Sequence, residues 1–177
     1  MTTRNGRKFG LRACLAGALL TLPGLALADV NDGVAAWERG DYETAVAEWR
    51  GPAGQGDADA QFNLGLAYER GLAVLPDYVL ALKWMTAAAE RRYALAQHRL
   101  AVWHRDKGGV IPLIDYSRCY FWASLAVFDR REGETFAPLW TSDLLRNWCM
   151  ERISRPSRVL ELQEEIREWD AAHPREP

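Results

Sequence analysis

Ala58-Asp59-Ala60-Gln61-Phe62-Asn63-Leu64-Gly65-Leu66-Ala67-Tyr68-Glu69-Arg70-Gly71 is the stretch that decides the fold. Its apolar residues fall at spacings of three and four, the period of a helix with one buried face. Asp57 or Asp59 supplies the N-cap, and Gly71 is the glycine that ends a helix. Pro76-Asp77 then opens a second helix, which carries Leu80, Trp84, Ala87 and Ala88; proline is tolerated in a first turn. The two helices make a hairpin.

The hairpin recurs. Ala60-Gln61 returns as Ala96-Gln97 and Leu64 as Leu100, each 36 residues on. Upstream, Tyr42 and Ala45 precede Tyr78 and Ala81 by the same 36. Around Gly108-Gly109 two residues are inserted, and the offset becomes 38: Asp77-Tyr78, Ala81, Trp84 and Ala88 are followed by Asp115-Tyr116, Cys119, Trp122 and Ala126. A period in this range marks a solenoid, in which each hairpin buries its apolar face on the next.

The pattern Ala58-x-Ala60-Gln61-x-x-Leu64-Gly65-x-x-Tyr68-x-x-Gly71, then Val74-x-x-Asp77-x-x-x-Ala81-x-x-Trp84-x-x-x-Ala88-Ala89, resembles the Sel-one-like repeat, a relative of the tetratricopeptide repeat. The resemblance implies an all-α, right-handed α-solenoid of about three hairpins with C-terminal capping helices. Gly65 and the alanines would let helices approach closely, with Tyr68 and Trp84 filling the space between hairpins. Residues 29–56 form a first degenerate repeat, 57–92 the best-matching one, 93–130 a degenerate third and 131–177 the cap. In the third unit Ala101, His104 and Lys107 replace the glycine, the tyrosine and the turn glycine. In the cap, Phe136 to Ile153 reads as one helix, with Leu139, Trp140, Leu144, Leu145, Trp148 and Cys149 apolar. A second helix begins near Pro156 and carries the stripe Val159, Leu162, Ile166 and Trp169; a short coiled coil is the rival reading of that stripe.

The first 28 residues read as a secretory signal peptide. Arg4, Arg7, Lys8 and Arg12 precede an apolar run from Ala13 to Leu22. Pro23-Gly24 interrupts it, and Ala26-Leu27-Ala28 provides the small residues of a cleavage site before Asp29. Export, to the periplasm in a two-membrane bacterium, is expected, with no stable membrane span after cleavage. In the remainder, 18 of the 22 basic residues face all 24 acidic ones, a net charge of −6. That balance disfavours nucleic acid and anionic lipid as partners. Cys119 and Cys149 remain, either as a disulfide of an exported protein or as two buried small hydrophobes.

The chain shows no catalytic signature. GxSxG, HExxH, CxxC and a phosphate-binding loop are all missing, and no cofactor or metal is implied. His98 and His104 lie on opposite-leaning faces, being six residues or roughly −120° apart on a helix. By analogy with the related repeat, a partner would lie along the first helix of each hairpin. The non-consensus residues there are Phe62, Leu66 and Glu69, then His98, Val102 and Arg105; the competing reading is that they pack against the next unit. The expectation is a non-enzymatic binding protein engaging a protein or peptide partner in the cell envelope. Alternatives are a glycan-binding envelope protein, suggested by the eight tryptophans, and an enzyme acting on β-lactams or peptidoglycan, as some cysteine-rich members of the family imply.

Overall fold

A computed structural model describes residues 30–106, 114–130 and 137–175. The segment read as a signal peptide, the insertion at Gly108-Gly109, the turn at residues 132–134 and the side chains of Leu139 and Trp140 lie outside the described residues. Eight helices follow one another, and the described residues include no strand. They are α1 (Val30–Glu38), α2 (Tyr42–Gln55), α3 (Ala58–Arg70), α4 (Tyr78–Glu90), α5 (Ala94–Arg105), α6 (Tyr116–Phe128), α7 (Ala137–Met150) and α8 (Pro156–Ala172). The fold is an all-α helical repeat solenoid. The pairs α1–α2, α3–α4 and α5–α6 form the hairpins, and α2–α3 and α4–α5 join them. Helix α7 follows α6 as α5 follows α4, and also packs on α5; α8 lies on α6. The coiled-coil reading is thereby replaced, because the apolar stripe of α8 is spent on the chain's own core.

Aspartates start four of these helices. Asp41 accepts from the Thr44 amide, Asp57 from Ala60, Asp77 from both Val79 and Leu80, and Asp115 from Arg118. Each cap satisfies a donor that the helix cannot pair internally, and is worth about 0.5–2 kcal/mol. Gly71 ends α3 in the left-handed region at φ 67°, and a Cβ there would also lie 2.5 Å from Pro76 Cγ. Space and backbone both demand glycine.

The repeated Ala-Gln pair has a physical cause. Gln61 is buried and donates its amide to the Ala53 carbonyl, 3.0 Å away in the last turn of α2. Gln97, 36 residues later, donates to the Ala89 carbonyl at 3.1 Å in the last turn of α4. Each carbonyl already accepts a backbone amide, from Gly56 and Arg92 respectively, and the glutamine adds a second bond that ties one unit to the next. The alanines of the pattern (Ala45, Ala60, Ala81, Ala88, Ala96, Ala126) are fully buried where helices cross. Gly65 faces Met85 and the Ala81 carbonyl across the α3–α4 crossing. Trp84 packs on the core of the first two hairpins and Tyr68 on the core between the second and third.

A third core joins α5 and α6 to the C-terminal helices through Cys119, Phe121, Leu125, Leu145, Cys149 and Leu162. Cys119 and Cys149 are joined by a disulfide that ties α6 to α7, with Cα atoms 6.0 Å apart and both side chains fully buried. Of the two readings the sequence leaves open for this pair, the structure has the disulfide.

Candidate functional site

The six residues singled out on the first helices separate into two groups. Phe62, Leu66 and Glu69 lie on α3 and face the seam with the third hairpin. The Phe62 ring is 5.2 Å from that of Tyr93, and Leu66 packs on the core built from Met85, Ala96, Leu100 and Trp103. Glu69 accepts from the Arg99 guanidinium and, at 3.1 Å, from the Trp103 indole N–H. The charge on α3 is therefore met by donors from α5, and the carboxylate is mostly buried. A paired, part-buried carboxylate of this kind positions two helices more than it adds to stability.

His98, Val102 and Arg105 stay together. They sit at i, i+4 and i+7 on α5, one face of the helix. Opposite them, α7 supplies Leu144, Leu145 and Trp148, and the six residues line an open cleft of about 350 Å³. Leu145 roots the wall in the core, whereas Leu144 is 60% exposed at its lip. The Trp148 ring has the Arg152 guanidinium 3.5 Å from its centroid and the edge of Tyr116 at 5.6 Å. These contacts hold an otherwise wettable tryptophan in a fixed pose.

Across the floor of the cleft His98 Nδ1 is 2.8 Å from the hydroxyl of Ser142, which is fully buried. Burial pushes the imidazole pKa down to about 4, and the Arg105 and Arg99 guanidiniums add to the effect. His98 is thus neutral near pH 7, and the cleft interior carries no charge from it. Arg105 forms a two-pronged pair with Asp106, Nε to Oδ1 at 2.6 Å and Nη2 to Oδ2 at 2.9 Å. That pairing raises the arginine pKa and lowers the aspartate's. The result is an apolar slot with one neutral polar group inside and an ion pair at its rim. Such a surface can take up an apolar side chain and orient it by hydrogen bonds. The hydroxyl that meets the imidazole belongs to a fully buried serine and is not presented to a molecule in the cleft. Among the described residues no group of three or more His, Cys, Asp or Glu side chains is placed to hold a metal ion. No described helix is long and apolar enough to cross a membrane.

The α7 wall is the part that reasoning from the first helices missed. A signal for it was present. Leu144 and Cys149 are five residues apart, or roughly 140° on a helical wheel, so the apolar arc of α7 is wider than one packed face needs. Once Cys149 is committed to the disulfide, Leu144 must point elsewhere. His104, the other helix histidine, is half-buried away from the cleft, its pKa lowered by burial.

Known proteins bear out the repeat. The Sel1 repeat model matches residues 58–93 and 94–127. An F-box protein of Arabidopsis thaliana is 40% identical over 110 residues, covering 56% of this chain and 30% of that protein. Among solved structures, a protective antigen of uropathogenic Escherichia coli strains that displays an SLR fold superposes with a TM-score of 0.69. It is 22% identical, with 81% of this chain and 29% of that one covered, so the likeness is one of fold. The chain thus spans less than a third of the length of either protein.

Proposed function

We propose that this chain is a non-enzymatic, exported adaptor that engages a protein or peptide segment through the α5–α7 cleft. The observation that carries the proposal is the cleft itself. It is apolar, open, and walled by an exposed leucine and a fixed tryptophan. Repeats of the Sel1 type generally serve protein interaction, which agrees with a site that offers a docking slot. His98, Val102 and Arg105 would make the contact together with Leu144 and Trp148. Phe62, Leu66 and Glu69 would hold α3 and α5 in register beneath it. A glycan partner is less well served, because Arg152 already covers one face of the Trp148 ring on which a sugar would stack. Periplasmic location is part of the same reading and rests on the n-, h- and c-region order of residues 1–28.

The test uses tagged protein purified from the cell envelope. Its mass should correspond to a chain beginning at Asp29, and an intact Met1 terminus would refute export. Leu144→Asp places a charge at the exposed lip, where substitution should leave stability within about 0.5 kcal/mol. Captured envelope proteins should fall at least tenfold in affinity, about 1.4 kcal/mol. Undiminished capture by a folded Leu144→Asp protein would place the binding face elsewhere. Retention on isolated peptidoglycan that soluble fragments compete away would favour the glycan reading instead.

A further inference from the structure

Helix α8 is held differently from the helices it caps. Leu162 is its one fully buried residue, whereas α3 has five buried residues. Its N-cap, Arg155, makes no side-chain capping bond, unlike the aspartates that start α2, α3, α4 and α6. A helix with few buried apolar contacts and an uncapped start belongs to the low-stability end of a fold.

Its C-terminal end is instead pinned by a side chain from the α4–α5 turn. Arg92 sits there with φ 64°, a left-handed conformation uncommon for a side-chain-bearing residue. Its guanidinium Nη1 donates to the His173 carbonyl at 2.5 Å, and Nη2 donates to Asp170 Oδ1 at 2.7 Å and to Asp129 Oδ1 at 2.5 Å. Asp129 is 2% exposed, and its second oxygen accepts from Gln97 at 2.7 Å. The guanidinium also lies 5.4 Å from the Trp169 ring, on which His173 stacks at 4.2 Å. A cation here satisfies an orphan carbonyl and opposes the negative end of the helix dipole. The segment so pinned carries Val159, Ile166 and Trp169, which pack on the core that also holds Leu145, Trp148 and Cys149. α8 lies on α6, to which α7 is joined by the disulfide, and shares one core with the helix that forms the cleft wall.

We propose that Arg92 is a latch: by capping α8 from the α4–α5 turn it seats that helix on α6 and on the core that α6 shares with α7, and its release loosens the α7 wall of the cleft. The latch is ionic and only part-buried on the α8 side, where the Asp170 side chain is 39% exposed. Its hold therefore weakens with salt. The test reads helix opening directly, so it does not depend on what the cleft binds.

Amide hydrogen exchange of the full chain tests the latch, with Asp170→Asn removing the α8 half of the ion pair. Glu164→Gln, which removes only the pair with Arg167 inside α8, is the control. The expected result is exchange about tenfold faster in residues 163–172 and in 142–150 for Asp170→Asn, with α3 and α4 unchanged. Wild-type protein should move the same way as salt rises from about 50 mM to about 500 mM, and Glu164→Gln should match wild type. Unchanged exchange in α8, or an equal rise in every helix, would overturn the latch. Faster exchange in α8 with α7 unaffected would overturn its link to the cleft.

Discussion

Gly65→Leu should lower the stability of the whole array, and Gly65→Ala should not. Gly65 is buried in the middle of α3, against α4. A Cβ at this position would lie 3.1 Å from Met85 Cε, 3.4 Å from the Ala81 carbonyl oxygen and 3.4 Å from the Met85 amide nitrogen. Alanine meets one tight contact, and that contact is the end of a flexible side chain. A shift of a few tenths of an ångström relieves it, while removing glycine from a helix interior gains about 0.5–1 kcal/mol. The two effects nearly cancel, and the expected change is within about 1 kcal/mol. Leucine adds three more carbons where Met85 and Ala81 are both fully buried. The helices must part, at a cost of at least about 1–3 kcal/mol. For a chain of this size that is a fall in melting temperature of roughly 2–12 °C. Thermal unfolding followed by circular dichroism measures all three proteins. Met85→Ala should rescue part of the leucine variant, since the two side chains compete for one space. Equal melting of Gly65→Leu and wild type would show that α3 and α4 do not cross here. A loss for alanine as large as for leucine would show that the backbone contacts, and not the Met85 methyl, set the limit.

The cleft histidine gives stability a pH dependence. The His98 pKa is about 4 when folded against an ordinary 6.5, so the unfolded chain takes up the proton first as pH falls. Stability should therefore be complete above about pH 6.5 and decline towards pH 4, by on the order of 2 kcal/mol after allowing for partial exposure. His98→Gln should flatten that part of the curve in urea titrations, and a proton-NMR titration midpoint near 6.5 for His98 would contradict the burial argument. The Cys119–Cys149 disulfide should leave no thiol titratable in denatured, unreduced protein and two after reduction. Its loop spans 30 residues, so Cys119→Ala with Cys149→Ala should cost about 3–4 kcal/mol on the loop-entropy account. Two free thiols in protein taken from the envelope would refute the pairing.

The residues between Ala58 and Ala89 were enough to declare helical hairpins, their period and most of their boundaries. Spacing, capping aspartates and terminal glycines act within one or two turns of chain, and their consequences are local. Repetition did the rest, because a pattern that returns at 36 residues must stack on its own copy. The same locality explains what the sequence left open. Phe62, Leu66, Val102 and Arg105 look alike as exposed-register residues on first helices. Whether each faces a seam or a cleft depends on what comes to lie beside it. Tyr93 and Trp103 close over the first two, while α7 leaves a gap beside the others. The Cys119–Cys149 pair was undecided for the same reason: a bond across 30 residues depends on how α7 docks on α6. So was the role of Arg92, an unremarkable turn arginine whose partners lie 37 and 78 residues away in sequence. Tertiary packing alone decides such contacts, because side chains distant in sequence meet only when the units between them have stacked.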